Sequence, residues 1–344
     1  MTDPAAGHAS AGQTSGQFAS ALEQSWYRQT WWTWLLMPLA LLFAAISAVR
    51  RLGFKLRLLK STRVKAPVII VGNISVGGTG KTPFTLWLCQ YLQQQGLKPG
   101  ILSRGYGAKI TRPQLVTSQM SALEVGDEPL LLAQLTGVPV VVCPKRVQGA
   151  EFLLAHTDCN IVICDDGLQH YALARDLEIV LIDGQRQLGN GWLLPAGPLR
   201  EGAWRLNTAD LVLSNSAASP YTPYQFDVIA DAPQALSQAT EALAPAATVA
   251  LVSGIGNPQR FLTTATQAGF TISATHFFPD HHPFTPADFQ AISTPLLMTA
   301  KDAVKCQPFA QANWYYLPIT AKVPASAQQV LAQKLQQIRS RYGL

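Results

Sequence analysis

Apolar residues along this chain gather in short unbroken runs, separated by stretches with a helical period. Pro67 to Val71 is β-branched and uncharged, and Lys98 to Ser103 leads into a glycine-containing turn. Val138 to Cys143, Asn160 to Cys164, Leu177 to Ile182, Leu211 to Ser214 and Thr248 to Ser253 repeat the pattern. Runs of this length predict strands buried on both faces. Residues 81–95, 127–135 and 258–268 read as helices, the second opening on two acids that suit a helix N-terminus. Such alternation predicts an α/β fold, a parallel sheet covered by helices with its functional groups at the carboxyl ends of the strands. Gly184 to Trp204 is loop-rich, and a Pro/Ala-rich segment precedes Thr248, so a smaller α/β unit starts near residue 245. The expected division is a tail over 1–24, an apolar helix with a basic flank over 25–60, the main unit over 61–244 and the smaller one over 245–344.

Trp31 to Val49, WWTWLLMPLALLFAAISAV, carries no charge. As a helix it would span ~28 Å, barely a bilayer core. Trp26, Tyr27, Trp31, Trp32 and Trp34 crowd one end like an interfacial aromatic belt, and Pro38 predicts a kink. Arg50, Arg51, Lys55, Arg57, Lys60, Arg63 and Lys65 follow with no acid among them. Without those seven the chain has 19 bases against 20 acids, so its net charge of +6 is local. Basic charge confined beside an apolar segment points to a membrane surface rather than nucleic acid. The segment starts too late for a cleaved signal peptide. A spanning helix that keeps the main body on the cytoplasmic side, a helix in the inner leaflet and a hydrophobic hairpin all stay open. Met1 to Gln24, rich in Ala, Ser, Gly and Gln, reads as disordered. The five cysteines form no C-x-x-C pair, which predicts reduced cytosolic thiols and no zinc site.

Candidate chemistry begins where the Pro67–Val71 strand ends. Ser75-Val76-Gly77-Gly78-Thr79-Gly80-Lys81-Thr82 leads from that strand into a helix, the context of a phosphate-binding P-loop. Glycines let backbone N–H groups turn toward phosphate oxygens, and the helix N-terminus adds its dipole. Lys81 would reach the β- and γ-phosphates of ATP, and the Thr82 hydroxyl would hold Mg²⁺. Ser75 replaces the first glycine of G-x-x-x-x-G-K-T. Further on, the apolar run NIVICDD ends in Asp165 and Asp166, and a carboxylate there holds Mg²⁺ directly or through water. Asp127 and Glu128, between Gly126 and Pro129, suit a helix start. Phe278-Pro279-Asp280-His281-His282-Pro283-Phe284 sets two histidines beside an acid without the spacing of a metal pair.

Taken in order, VGNISVGGTGKTP, SRGYG, GDEP, DDGLQH, PAGPLRE, SGIGNP, FPDHH and TAKDAVK resemble the tetraacyldisaccharide 4′-kinases of lipid A biosynthesis, from about Trp26 to the C-terminus. The resemblance implies a P-loop nucleoside-triphosphate domain, a smaller α/β domain and a hydrophobic N-terminal helix at the cytoplasmic face of the bacterial inner membrane. It implies transfer of the ATP γ-phosphate to the 4′-hydroxyl of a tetraacylated glucosamine disaccharide 1-phosphate. Matched motif to motif, Asp127 becomes the catalytic acid–base carboxylate with His281 as its partner. Glu128, Asp165 and Asp166 serve Mg²⁺, and Arg200 of PLRE lies near the phosphates or the substrate. The implied partners are the lipid A disaccharide precursor and the membrane surface, with no nucleic acid and no protein partner. Ala300 stands where an acid is expected before Lys301 and Asp302. Exposing acyl chains costs ~0.8 kcal/mol per CH₂, so such an enzyme must come to the bilayer.

A P-loop also serves regulatory GTPases, partition-type ATPases and scaffolds with a vestigial site. Thr299-Ala300-Lys301-Asp302 holds the residues of the guanine motif [NT]-K-x-D in the wrong register, and Val76 stands where a partition ATPase needs a second lysine. The intact Lys81, Thr82 and Asp165 argue against a vestigial site.

Overall fold

A computed structural model of the 344-residue chain describes residues 22–28, 30–237 and 242–344. Most of the expected tail, residues 1–21, lies outside them. The chain opens with helix α1 (22–28), a 3₁₀ turn (Trp31–Leu36) and helix α2 (Met37–Lys55). Nine strands then build the larger sheet: β1 (Val68–Gly72), β2 (Pro99–Ser103), β3 (Gln114–Leu115), β4 (Val140–Val142), β5 (Ile161–Asp165), β6 (Leu177–Asp183), β7 (Leu211–Asn215), β8 (Gln225–Ala230) and the late strand β14 (Ile319–Lys322). Helices α3 (Lys81–Gln94), α4 (Ala122–Val125), α5 (Asp127–Thr136) and α6 (Arg146–His156) connect the early ones. Their order is β14-β8-β7-β6-β1-β5-β2-β4-β3, parallel except at the edge pairs β3–β4 and β8–β14.

The smaller sheet runs β11 (Thr271–Phe277), β10 (Thr248–Ser253), β12 (Leu296–Thr299), β13 (Trp314–Leu317), β9 (Gln234–Ala235), with only β9 antiparallel to its neighbour. Helices α7 (Pro258–Gln267) and α8 (Ala300–Cys306) belong to it, and α9 (Ala325–Tyr342) ends the chain.

Period-two alternation in fully buried strands sends side chains to two apolar layers. Ile69 and Val71 of β1 face one layer with Phe84 and Leu88 of α3; Val68 and Ile70 face the other with Leu102 and Leu153. Leu331, Leu335 and Ile338 of α9, at helical spacing, join the first layer. Strand β1 lies between β5 and β6, and the chain moves from it toward β2 and later from β6 toward β7. The crevice at such a reversal is where open α/β sheets bind ligands.

Strand pairing divides the chain elsewhere than at 244/245. Strand β9 already belongs to the smaller sheet, and residues 319–342 return to the larger one through β14 and α9. The smaller sheet is therefore inserted between β8 and β14.

Three N-terminal expectations change. Pro38 falls in the first turn of α2, where a missing N–H costs nothing, so it starts the helix after the 3₁₀ turn instead of kinking its interior. Trp26 and Tyr27 leave the aromatic belt. Trp26 is buried with Nε1 donating to the Pro195 carbonyl at 3.0 Å, and Tyr27 lies under the Arg186 guanidinium. The boundary at 24/25 also moves, because Glu23 within α1 pairs with Arg186 at 2.9 Å. Helix α2 itself exposes Leu39, Leu41, Leu42, Ile46 and Val49.

Candidate active site

The loop between β1 and α3 is held from outside by its carbonyls. Asn73 Nδ2 donates to the Ser75 carbonyl at 2.6 Å, Arg260 Nη1 to that of Gly78 at 3.2 Å, and Asn215 Nδ2 to that of Thr79 at 3.2 Å. The Val76 N–H donates to Pro198 at 2.9 Å, and Ser75 bridges to Leu199, so the PAGPLRE segment braces the loop entrance. Gly80 closes the loop at φ 86°, left-handed backbone that favours glycine, and an added Cβ would strike the Asn215 amide. Gly77, Gly78, Lys81 and Thr82 line the cavity at the start of α3.

Strands β5, β6 and β7 each run one residue further than their apolar runs predict, ending on Asp165, Asp183 and Asn215. Asp165 and Asn215 line the crevice, and Asp183 meets Arg260 of its wall at 3.0 Å. Asp165 is buried, with Oδ1 lacking any hydrogen-bond partner among the described residues. Burial, then the carboxylates of Glu128 and Asp166, push its pKa up. Asp166 follows in the left-handed region at φ 47° and turns to Lys81 Nζ (3.6 Å) and Arg200 Nη1 (3.0 Å). Burial alone would raise its pKa, but the Lys81 and Arg200 charges bring it down to about 2. Arg146, buried at the start of α6, donates to the Cys143 and Asp165 carbonyls at 2.8 and 3.2 Å.

Asp127 opens α5 behind Gly126, whose φ of 93° and contact with the Tyr106 carbonyl leave no room for a side chain. Its Oδ1 accepts from the Glu128 N–H at 2.9 Å. Its Oδ2 lies 2.9 Å from His281 Nδ1, in the loop after β11, so the two sheets meet at this hydrogen bond. His281 also has left-handed backbone, at φ 61°, and Tyr106 packs on its ring at 5.1 Å. Lys301 Nζ, one residue into α8, stands 3.7 Å from Asp127, 3.3 Å from Glu128, 3.4 Å from Asp280 and 3.5 Å from His281 Nε2. An ammonium only donates, so Nε2 faces it as the acceptor and Nδ1–H donates to Asp127. Burial pushes the Asp127 carboxyl up, yet the His281 hydrogen bond and the Lys301 charge outweigh it, and its pKa falls below the ordinary value. The bond to Asp127 raises that of His281 against the opposing effects of burial and Lys301. His282 turns away, stacked on Phe278 at 4.6 Å and facing Asp288.

Lys301, Arg146, Asn215 and Arg260 were not distinguished by sequence pattern. Lys301 stood inside TAKDAVK, and Asn215 lay one residue past a predicted strand. Arg146 and Arg260 had no spacing signal. Ala300 packs against the apolar layer, and Asp302 ties Thr299 to the Gly254 N–H, so of these residues Lys301 is the one that brings charge to the cavity they line.

The profile of the family described as tetraacyldisaccharide-1-P 4′-kinase (LpxK) matches residues 32–336. A tetraacyldisaccharide 4′-kinase of Shewanella sp. (strain MR-7) is 49% identical over 312 residues, covering 90% of this chain and 93% of that protein. The enzyme of the same name from Methylobacillus flagellatus is 49% identical over 323 residues, covering 92% and 96%. A crystal structure of "apo" form LpxK from Aquifex aeolicus in complex with ATP superposes with a TM-score of 0.76 at 29% identity, covering 89% of this chain and 99% of that one. The P-loop, the acidic strand end and these similarities agree: the chain belongs to the tetraacyldisaccharide-1-P 4′-kinase family of lipid A biosynthesis.

Proposed function

We propose that Asp127 and His281 act as one unit that receives the proton of the lipid's 4′-hydroxyl while Lys81 meets the charge on the departing γ-phosphoryl group. The observation that carries this reading is the 2.9 Å contact between His281 Nδ1 and Asp127 Oδ2 in a cavity shared with the P-loop. Phosphoryl transfer passes through a loose transition state, so the base need only orient the hydroxyl and take its proton late. Asp127, ionised at neutral pH, accepts that proton at a carboxylate oxygen. His281 holds the carboxylate in position and stabilises its charge. Ser75 to Thr82 cradle the phosphates, and Arg200 keeps Asp166 turned toward Lys81.

Thr82, Glu128, Asp165 and Asp166 are the residues that would hold Mg²⁺. The buried Asp165 oxygen, without a hydrogen-bond partner among the described residues, fits this, as does the rise of its pKa through burial and then the neighbouring carboxylates. Among the described residues no three His, Cys, Asp or Glu side chains converge, so of these carboxylates one or two would touch the ion directly and the others through water, with phosphate oxygens completing its shell. Bound there, it would neutralise charge on the phosphates.

Helix α2 supports attachment to the cytoplasmic face of the membrane, with its exposed leucines in the apolar phase and Arg50, Arg51 and Lys55 at the headgroups. Asp127→Ala and His281→Ala should each lower kcat substantially with little change in ATP affinity. The double variant should be barely worse than either single one, because groups acting as a unit are non-additive. Fully multiplicative losses would separate their roles and overturn the dyad.

A further inference from the structure

Among the cations lining the cavity, Arg260 comes from the smaller sheet and has no part in the proton transfer. The SGIGNP turn after β10 ends in Asn257 and Pro258, which start α7. The Asn257 side chain accepts from the Arg260 N–H at 3.3 Å, which sets the first turn of that helix. The Arg260 guanidinium then crosses to the larger sheet and divides its contacts. Nη1 donates to the Gly78 carbonyl at 3.2 Å, and Nη2 stands 3.0 Å from Asp183 Oδ2, close enough for charge but off the line of a hydrogen bond. Asp183 is buried at the end of β6, and its Oδ1 accepts from the N–H groups of Gln185 and Arg186 at 3.0 and 3.1 Å. The turn so fixed carries Arg186 to the Gly77 side of the loop tip. There its Nη1 pairs with Glu23 at 2.9 Å and would lie 3.5 Å from a Cβ placed on Gly77. One buried carboxylate thus arranges two arginines around Gly77 and Gly78.

Packing does not hold this part of the loop. A Cβ on Gly78 would meet nothing within 4 Å among the described residues, and glycine itself leaves the backbone free to turn. The Gly78 carbonyl and the Thr79 N–H share one trans peptide plane and point opposite ways, so a donor on the carbonyl fixes where the N–H is aimed. The asparagines that hold the Ser75 and Thr79 carbonyls follow β1 and end β7, both of the larger sheet. Arg260 reaches the peptide between them from the smaller sheet. We propose that Arg260, held by Asp183, is a positioning residue of the nucleotide site that fixes the Gly78–Thr79 peptide for phosphate, a proposal that rests on Ser75 to Thr82 as the seat of the phosphates.

The test measures the Kd of a fluorescent, non-hydrolysable ATP analogue on the full chain in detergent micelles, beside steady-state kinetics and thermal unfolding. The variants are Asp183→Asn, Arg260→Gln, Arg260→Lys and the double variant Asp183→Asn with Arg260→Gln. Arg260→Gln should weaken the analogue by roughly tenfold, less than a fully buried charge pair would lose because the guanidinium is partly exposed. The loss should appear in the KM for ATP far more than in kcat, with the KM for lipid unmoved, the pattern of lost ground-state binding. Asp183→Asn keeps an acceptor for the two N–H groups but removes the charge that steadies Arg260, so it should weaken the analogue in the same direction. The double variant should be no worse than Arg260→Gln, because Asp183 acts through Arg260. Arg260→Lys keeps the charge without the fork and should restore part of the affinity. An unchanged Kd with a lowered unfolding midpoint would overturn the assignment and leave the pair as a tie between the sheets. A fall in kcat at unchanged Kd would overturn it as well, making Arg260 a ligand of the transferred phosphoryl group. So would losses that multiply in the double variant. Lys81→Ala separates the underlying reading: it should abolish transfer, and near-normal turnover would sink the loop itself, whereas the other outcomes sink Arg260 alone.

Discussion

Lys301 shows how much a single side chain can hide in a sequence. Asp127 read on its own as a helix-opening acid and was paired with His281 only through the family resemblance of GDEP and FPDHH, whereas the P-loop was legible because strand, glycines, Lys81 and Thr82 occur in order. Lys301 lies in TAKDAVK, whose sequence marks no acid–base role, and the meeting of the two sheets brings it to three carboxylates and a histidine. Glu128, Asp127 and Asp280 raise its pKa against the cost of burial, so it remains charged across the working range. Its charge adds to the His281 hydrogen bond in holding Asp127 ionised, and it opposes protonation of His281. Lys301→Met should lower kcat on the order of tenfold or more, as expected for removing one member of a buried charge pair. The KM for ATP should hardly change, Lys301→Arg should restore part of the loss, and ¹⁵N shifts of the His281 ring should report a changed tautomer balance in the Met variant. An unaltered ring spectrum with full activity would remove Lys301 from the site.

Among the elements, the central strands were readable because burial on both faces leaves unbroken apolar runs. Their ends were not, since Asp165, Asp183 and Asn215 break the run while the backbone pairing continues. Strand β14 escaped notice for the opposite reason: Ile319–Lys322 is only four residues long and half polar. The helix after it is a firm structural element. Leu335 of α9 is 3% exposed within the first apolar layer, so Leu335→Ala should cost about 2–5 kcal/mol of unfolding free energy, read from the denaturant midpoint. Helix α2 has the reverse character, with Leu41 63% and Ile46 61% exposed. Leu41→Glu with Ile46→Glu should shift the protein from the membrane to the soluble fraction, because a charge at a helix centre costs about 2.5–3.5 kcal/mol in hydrocarbon on insertion scales. Retention in the membrane pellet would place the attachment elsewhere on the surface.

At the scale of the whole molecule, the parallel sheet was legible from alternation alone, whereas the insertion of one sheet within the other was not. Insertion is a matter of which strand a returning chain pairs with, and that choice leaves no local pattern. It has a mechanical consequence. The smaller sheet is tied to the larger by two crossings, Asp231 to Pro233 and Pro318. They lie side by side: Ala230 pairs with Ile319, and the Asp231 N–H donates to the Pro318 carbonyl at 3.0 Å. Each crossing contains a proline, which stiffens it. Two short, adjacent tethers act like a pinned jaw, permitting a swing about one axis and resisting both sliding and free rotation. A fluorescence pair spanning the two sheets should therefore report one distance change on adding a non-hydrolysable ATP analogue, and several independent states would contradict the pin. On such a pin His281 would travel a fixed arc, and any closure would return it to the carboxylate it meets at 2.9 Å.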